Sequence, residues 1–230
     1  VPPKEYYPII RETCDSYDVT FIADEVMTGV GRTGKWFCIE HWNTSPDIIS
    51  TAKGLSGGYA PLAAVIVRDR IVEEFKKNKS NLVGGHTFGA NPVSCAVGLA
   101  VLKYIKTNNL VERCGELGAY LTKRLKELQD SHRIIGDVRG LGLMIGLELV
   151  KDKKTKKPYP RELGLADALT SEAMERGLIV YPGSGTADGI SGDHILLTPP
   201  YIITREQIDD LILMLDESIN RIEDRHPFQP

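Results

Sequence analysis

The sequence has little that would cross-link it, hold it in a membrane or attract it to a polyanion. Its four cysteines lie far apart without a C-x-x-C pair, and no signal-peptide pattern opens the chain, so we predict reduced thiols in a cytoplasmic protein. The longest apolar stretches, such as 62–67 and 141–149, are far shorter than the roughly 20 residues of a membrane helix. Lysine and arginine number 28 against 31 acidic residues, so neither nucleic acid nor a membrane is an expected partner.

Close metal-ligand patterns are also missing. The five histidines are scattered and none forms an H-E-x-x-H pair, so no metal is expected. Of the 230 residues, 42% are hydrophobic and 26% are charged, which is ordinary for a globular protein with a real core and argues against disorder.

Apolar runs and helical periodicities alternate along the chain, which predicts an α/β fold. Glycine-rich turns separate the first three strand-like runs. Later, a glycine-bent strand pair at 138–150 and a final helix after Thr204 continue the alternation. The other predicted strands are 19–23, 47–52, 62–67, 178–181 and 195–197, and the other predicted helices are 5–17, 69–79, 92–106, 110–128 and 163–176. A new unit is expected near the helix at 110, which gives two domains, 1–107 and 108–230.

The segment K-D-K-K-T-K-K holds five lysines between Lys151 and Lys157. Such a run can bind phosphate or nucleic acid. Because it lacks interleaved aromatic residues and lies between a strand and a proline-bounded turn, we predict a solvated loop.

The stretch T-G-V-G-R-T-G-K-W resembles two phosphate-binding motifs, and both fail in context. A dinucleotide fingerprint turns directly from strand to helix, but residues 24–28 intervene before Gly29 and no clear helical start follows Gly34. A P-loop needs Ser or Thr after its lysine, where Trp36 stands. Neither a dinucleotide nor an NTP site is predicted here.

Asp24 and Lys53 both follow predicted strands. Ligands collect at the carboxyl ends of strands in α/β sheets, so the two side chains face one crevice if their strands are neighbours. Small residues around Lys53 leave room for a flat ligand, and desolvation there would favour a nucleophilic amine. From composition alone, a solvated lysine on a surface turn is the favoured alternative.

At these positions the sequence resembles the class III aminotransferases, which are pyridoxal-phosphate enzymes of fold type I. The family's D-E-V-x-T-G-x-G-R-T-G run matches Asp24 to Gly34, and its P-D-I-x-x-x-A-K-G-L-S-G-G run matches Pro46 to Gly58. The order and spacing of the motifs also agree. Three further matches are H-T-F-G-x-N-P at His86 to Pro92, V-R-G-L-G-L at Val138 to Leu143 and P-P-Y-I-I-T at Pro199 to Thr204.

The resemblance implies a site for pyridoxal 5'-phosphate. Lys53 matches the lysine that forms the Schiff base, and Asp24 matches the carboxylate that pairs with the pyridine nitrogen. Val26 matches the aliphatic residue on a ring face, although an ordinary core valine explains it equally well. Thr87 matches a threonine that reaches the phosphate of the neighbouring subunit's cofactor, which implies a homodimer with a shared site.

The substrate positions differ from the family pattern. Many members bind a substrate carboxylate with an arginine either in the strand that holds Tyr181 or just before the closing Pro-Pro, where Leu196 stands. Tyr181 can donate one hydrogen bond without charge, and Leu196 can donate none. Arg139 is the remaining candidate for substrate binding, and an arginine that ties the glycine-bent strand to its surroundings is its alternative.

The implied architecture is part of a large domain with a mainly parallel sheet, followed by a small C-terminal α/β domain. The family's phosphate loop and cofactor-stacking aromatic residue have no match, so a fragment that is inactive alone is expected. Its parent is expected to transfer an amino group from an ω-amino acid or amine to pyruvate or another 2-oxo acid. The alternatives are an aminomutase, a decarboxylating aminotransferase, or a catalytically silent assembly module. An aminomutase or a decarboxylating aminotransferase would use the same Lys53 and Asp24, so these residues do not distinguish the reactions.

Overall fold

The computed structural model describes residues 1–225. Their contacts form two compact units, one of residues 2–113 and one that begins at Cys114, and each unit contains its own β-sheet. The division falls inside the helix that begins at Leu110, six residues after the boundary drawn from the sequence. The α/β class is confirmed. No helix within 1–225 is both long and apolar enough to cross a membrane.

The first unit contains a mixed sheet of order β1-β2-β3. The elements are α1 (Tyr6–Ser16), β1 (Ile22–Asp24), β2 (Ile48–Thr51), β3 (Ala64–Val67), α2 (Asp69–Lys77) and α3 (Pro92–Thr107), with 3-10 helices at Cys38–Trp42 and Lys53–Ser56. Strands β1 and β2 are parallel, whereas β3 is antiparallel to β2. The connection between β2 and β3 holds one 3-10 turn and no crossover helix, so the chain reverses instead of adding another parallel strand.

The Asp47 carboxylate is fully buried at the amino ends of β1 and β2. It accepts hydrogen bonds from the Phe21 N–H at 2.9 Å, from Arg11 at 2.8 Å and from Arg70 at 3.1 Å. The Arg68 guanidinium lies 3.6 Å away. Burial alone would raise the pKa of Asp47, but the Phe21 N–H and the arginines outweigh it and hold this pKa well below its usual range. One carboxylate thus joins α1, the sheet and α2.

The second sheet is antiparallel, in the order β4-β5-β7-β6. The remaining elements are α4 (Leu110–Ser131), β4 (Ile135–Leu141), β5 (Met144–Leu149), α5 (Leu165–Glu175), β6 (Tyr181–Gly183), β7 (Asp193–Leu197) and α6 (Arg205–Arg225). Alternate residues of β5 and β7 are buried in a core with the apolar faces of α4, α5 and α6. As predicted, Thr204 caps the last helix: its hydroxyl accepts the Gln207 N–H at 3.2 Å.

One local prediction for this unit needs correction. The strand predicted at 178–181 begins only at Tyr181, because the Leu178 N–H closes the end of α5 on the Ala173 carbonyl after Gly177, whose φ is +85°. The lysine-rich run at 151–157 is the exposed loop that was predicted, and two of its side chains also contact the neighbouring backbone. The ammonium groups of Lys153 and Lys156 donate to the carbonyls of Gln129 and Gly136.

We expect Asp47→Asn to lower the free energy of unfolding at pH 7 by about 2 kcal/mol, because it removes the buried charge that accepts hydrogen bonds from Arg11, Arg70 and the Phe21 N–H. A lowered pKa in the folded state stabilises the fold above the unfolded pKa of about 4 and stops doing so as the pH falls. The difference between wild type and variant should therefore shrink below pH 4. Urea unfolding at several pH values measures it. Asp15→Asn, which alters an exposed partner of Arg11, is the control and should cost under about 1 kcal/mol.

Candidate active site

Asp24 ends β1 and lies opposite Ser50 of the parallel strand β2. Its Oδ1 accepts the Val26 N–H at 3.0 Å, and the Ser50 hydroxyl donates to the same oxygen at 3.4 Å. Asp24 is exposed to solvent in spite of these two contacts. The carboxylate is therefore oriented by the end of the sheet and open to a ligand.

Lys53 follows the neighbouring strand by two residues and is also exposed. Strands β1 and β2 are adjacent and parallel, so Asp24 and Lys53 lie at the same edge of the sheet, as the sequence analysis required for a common crevice. The Lys53 backbone has φ = +42°, a left-handed conformation that costs a residue with a side chain about 1–2 kcal/mol. Strained backbone of this kind is held only where the surroundings determine it, and it is concentrated at functional sites.

The turn that holds Lys53 is fixed by local hydrogen bonds and by α3. The Leu55 N–H donates to the Ala52 carbonyl at 2.9 Å, and the buried Ser56 hydroxyl donates to the Ala60 carbonyl at 2.6 Å. Gly98 of α3 packs against this turn: a Cβ there would lie 3.4 Å from the Leu55 carbonyl oxygen and 2.4 Å from a methyl of Leu62. Helix α3 thus supports the lysine turn.

Glu25 was given no role in the sequence analysis, yet it is the buried acid of this region, with 3% of its surface exposed. Its Oε1 accepts the Ile39 N–H at 2.8 Å, and its Oε2 accepts the Cys38 N–H at 3.0 Å and the Thr28 hydroxyl. Burial, followed by the Glu25 charge, raises the pKa of the Cys38 thiol to about 11. Glu25 was missed because its backbone partners are 13 and 14 residues away.

The glycine run after Glu25 contains neither phosphate-binding motif. Residues 26–37 form turns and bends, followed by the 3-10 helix Cys38–Trp42. Both motifs require an α-helix here, so their rejection is confirmed. Gly29 is needed for another reason: a Cβ at this position would lie 2.7 Å from the Glu25 carbonyl oxygen.

Val26 and Thr87 lie in different segments of the first unit. Val26 is half-buried in the turn after Asp24, whereas Thr87 is exposed within the exposed segment 79–90. Leu82, Val83 and Phe88 of that segment are 78%, 99% and 81% exposed. Their exposure is typical of a surface that another molecule covers.

Arg139, Leu196 and Tyr181 belong to the second unit. Strand pairing aligns Arg139, Gly146, Leu196 and Tyr181 in one row across β4, β5, β7 and β6. The Arg139 guanidinium donates to Asp137 at 2.8 Å and to Glu148 at 3.0 Å, and both carboxylates raise its pKa. This pairing agrees with the tying role considered for Arg139, and its substrate role stays a prediction.

The family model for class-III aminotransferases matches residues 1–219. The chain belongs to this family. An uncharacterized aminotransferase, YodT of Bacillus subtilis, is 44% identical over 222 residues, covering 96% of this chain and 50% of the relative. A taurine–pyruvate aminotransferase of Bilophila wadsworthia is 36% identical, with 98% and 50% covered. A putrescine–pyruvate aminotransferase of Pseudomonas aeruginosa is 37% identical, with 96% and 46% covered. The chain thus spans about half the length of these curated relatives.

Solved structures agree with the fold type I assignment. A transaminase from a marine Virgibacillus superposes with a TM-score of 0.93 at 38% identity, covering 98% of this chain and 50% of that chain. A PLP-bound amine transaminase from an uncultivated Pseudomonas species gives a TM-score of 0.88 at 34% identity, with 96% and 49% covered. Pyridoxal phosphate is the cofactor of this class III family.

The exposed groups at the strand ends fit this cofactor chemically. Its aldehyde requires a primary amine, which Lys53 offers, and its ring nitrogen requires a carboxylate, which Asp24 offers. The turn beside Lys53 also has room, since a Cβ on Gly58 would meet no atom within 4 Å. No group of three or more potential metal ligands occurs in residues 1–225.

The backbone strain at Lys53 can be tested without cofactor. We expect Lys53→Gly to be at least as stable as Lys53→Ala, and up to about 1 kcal/mol more stable, because glycine adopts φ = +42° without a Cβ penalty. Chemical denaturation of both variants measures the difference. At Lys76 in α2 the order should reverse, since glycine in a helix costs about 1 kcal/mol relative to alanine. The same order at both positions would contradict strain at Lys53.

Proposed function

We propose that the protein is a pyridoxal-phosphate-dependent aminotransferase whose cofactor is bound through Lys53 and Asp24. The observation that carries the proposal is the alignment of β1 and β2, with an exposed carboxylate at the end of one strand and an exposed amine after the other. Family membership supports the same chemistry. Val26 is assigned to a face of the ring.

When bound, pyridoxal phosphate supplies an electron sink for the carbon that carries the amino group. The Asp24 carboxylate would accept a hydrogen bond from the protonated ring nitrogen and would keep that proton in place. The Val26 N–H and the Ser50 hydroxyl hold the accepting carboxylate in position. Lys53 would hold the aldehyde carbon of the cofactor, and its free Nζ would move a proton from the substrate carbon to that cofactor carbon.

We propose an ω-amino acid or simple amine as donor and pyruvate or another 2-oxo acid as acceptor. The names of the taurine–pyruvate and putrescine–pyruvate relatives support these classes. The residues at the two family arginine positions also support them, because Tyr181 and Leu196 carry no charge and Arg139 is already paired with two carboxylates. A donor without an α-carboxylate needs no cation at these places.

We also propose a cytoplasmic homodimer in which Thr87 reaches the cofactor phosphate of the other subunit. The exposed apolar residues that flank Thr87 support burial against a second copy. A cytoplasmic location agrees with the cysteines of residues 1–225, none of which forms a disulfide.

Covalent labelling tests the proposed function. The protein, loaded with pyridoxal phosphate and reduced with borohydride, should carry the label on Lys53 in a peptide map. Lys53→Ala should lose the label and the transfer of an amino group from an amine donor to pyruvate. Lys35→Ala, which removes another lysine of the first unit, should retain both. Label on a different lysine, or unchanged turnover in Lys53→Ala, would refute the assignment.

The substrate class can be tested at Leu196. We expect Leu196→Arg to lower the KM for a 2-oxo acid about tenfold, since a charge-assisted contact contributes about 1.5 kcal/mol. Gly146, its neighbour across the sheet, leaves room for the longer side chain. Steady-state kinetics measure the change, with the neutral variant Leu196→Met as control. An unchanged KM in a folded Leu196→Arg protein would mean that another group already binds the carboxylate.

A further inference from the structure

Glu25 is the buried carboxylate nearest in sequence to the proposed cofactor-binding acid. Both of its oxygens accept backbone N–H groups of the 3-10 helix Cys38–Trp42, and one also accepts the Thr28 hydroxyl. A carboxylate is an acceptor at both oxygens, whereas an amide offers only one. The site therefore requires glutamate: glutamine would turn an NH2 group toward a buried N–H donor.

The restraints on Asp24 lie on either side of Glu25. The Glu25 N–H continues the sheet by donating to the Ser50 carbonyl at 2.8 Å, and the following residue, Val26, donates its N–H to Asp24. The Glu25 carbonyl also accepts the Gly29 N–H at 3.0 Å. A rotation of the Glu25 backbone would move the Val26 N–H away from the Asp24 carboxylate.

The 3-10 helix that the Glu25 carboxylate contacts is firmly packed. Ile39, whose N–H it accepts, is 4% exposed. Glu40 holds the same 3-10 helix from the solvent side, since its carboxylate accepts the Phe37 N–H at 2.7 Å. Glu40 is exposed and has no bond to the turn after Asp24 among those described. The two glutamates thus hold one helix, but only Glu25 connects it to Asp24.

We propose that Glu25 is a positioning residue that fixes the direction of the Asp24 carboxylate toward the cofactor ring nitrogen. It acts through the turn of residues 24–29 and does not touch the cofactor. The proposal rests on the proposed function, because it concerns the carboxylate that we assign to the ring nitrogen.

The first test needs no cofactor. In the apo protein, Glu25→Gln should speed amide hydrogen exchange at Cys38 and Ile39, and also at Val26, by about tenfold. Glu40→Gln, the matched control, keeps one acceptor oxygen for the Phe37 N–H and should leave exchange at both Phe37 and Val26 unchanged. If Val26 keeps its protection in Glu25→Gln, the link from Glu25 to Asp24 is absent and the proposal is overturned.

The second test measures the dissociation constant of pyridoxal phosphate and the pH midpoint of its absorbance change. Glu25→Gln should weaken binding about tenfold and shift the midpoint in the same direction as Asp24→Asn, whereas Glu40→Gln should do neither. In the Asp24→Asn background, Glu25→Gln should add less than twofold, because the carboxylate it positions is gone. If the losses of affinity in the two single variants add up in the double variant, Glu25 has a purely structural role and the proposal is overturned.

A second variant covers the case in which Glu25→Gln does not fold. Thr28→Val, which removes one donor to the Glu25 carboxylate, should weaken binding of pyridoxal phosphate two- to fivefold, and no change would overturn the proposal.

These measurements separate the proposal from the function on which it rests. Full-length wild-type protein that binds no pyridoxal phosphate, or whose binding is unaffected by Asp24→Asn, would overturn both. Weakened binding in Asp24→Asn together with wild-type behaviour in Glu25→Gln would overturn the role of Glu25 alone.

Discussion

The buried carboxylate of Asp47 sets the register on which the proposed site depends. It binds the Phe21 N–H just before β1 and itself stands just before β2, so these two strands begin side by side. Because the strands run in parallel from this point, Asp24 reaches the far end of the sheet opposite Ser50, and Lys53 follows three residues later. A contact at the amino ends of two strands therefore fixes which chemical groups meet at their carboxyl ends.

At the carboxyl ends of β1 and β2, the turns that follow the strands hold Asp24 and Lys53 in place, and further strand pairing does not. Strand β1 has only three residues, which gives its last residue little support of its own. The Asp24 side is held by the buried bonds of Glu25 to a helix turn, and the Lys53 side by Ser56 and the close packing of Gly98. These contacts hold the left-handed backbone of Lys53. Without them, the strained conformation would relax.

Local patterns predicted most of the elements, because hydrophobic periodicity and capping act between near neighbours. The helix from Leu110 and the glycine-bent strand pair at 138–150 are examples. The contacts of Glu25 with the Cys38–Trp42 helix and those of Asp47 could not be predicted in this way, since these partners are 13 to 36 residues away and no spacing rule connects them. The motif run of the family indicated Asp24 and Lys53, but gave no reason why the intervening glutamate should be buried.

A row of residues across the second sheet determines the charges that an approaching anion would meet. Arg139 lies between the two carboxylates of Asp137 and Glu148, and Lys156 adds a second positive charge near Asp137, so the charges of this cluster balance. An anion that approached Arg139 would have to displace a carboxylate already bound at about 3 Å, and it would meet the repulsion of the other. Neither Leu196 nor Tyr181 offers a compensating charge along the same row. Along this row of described residues, an arriving carboxylate therefore meets no cation that is free of a carboxylate partner.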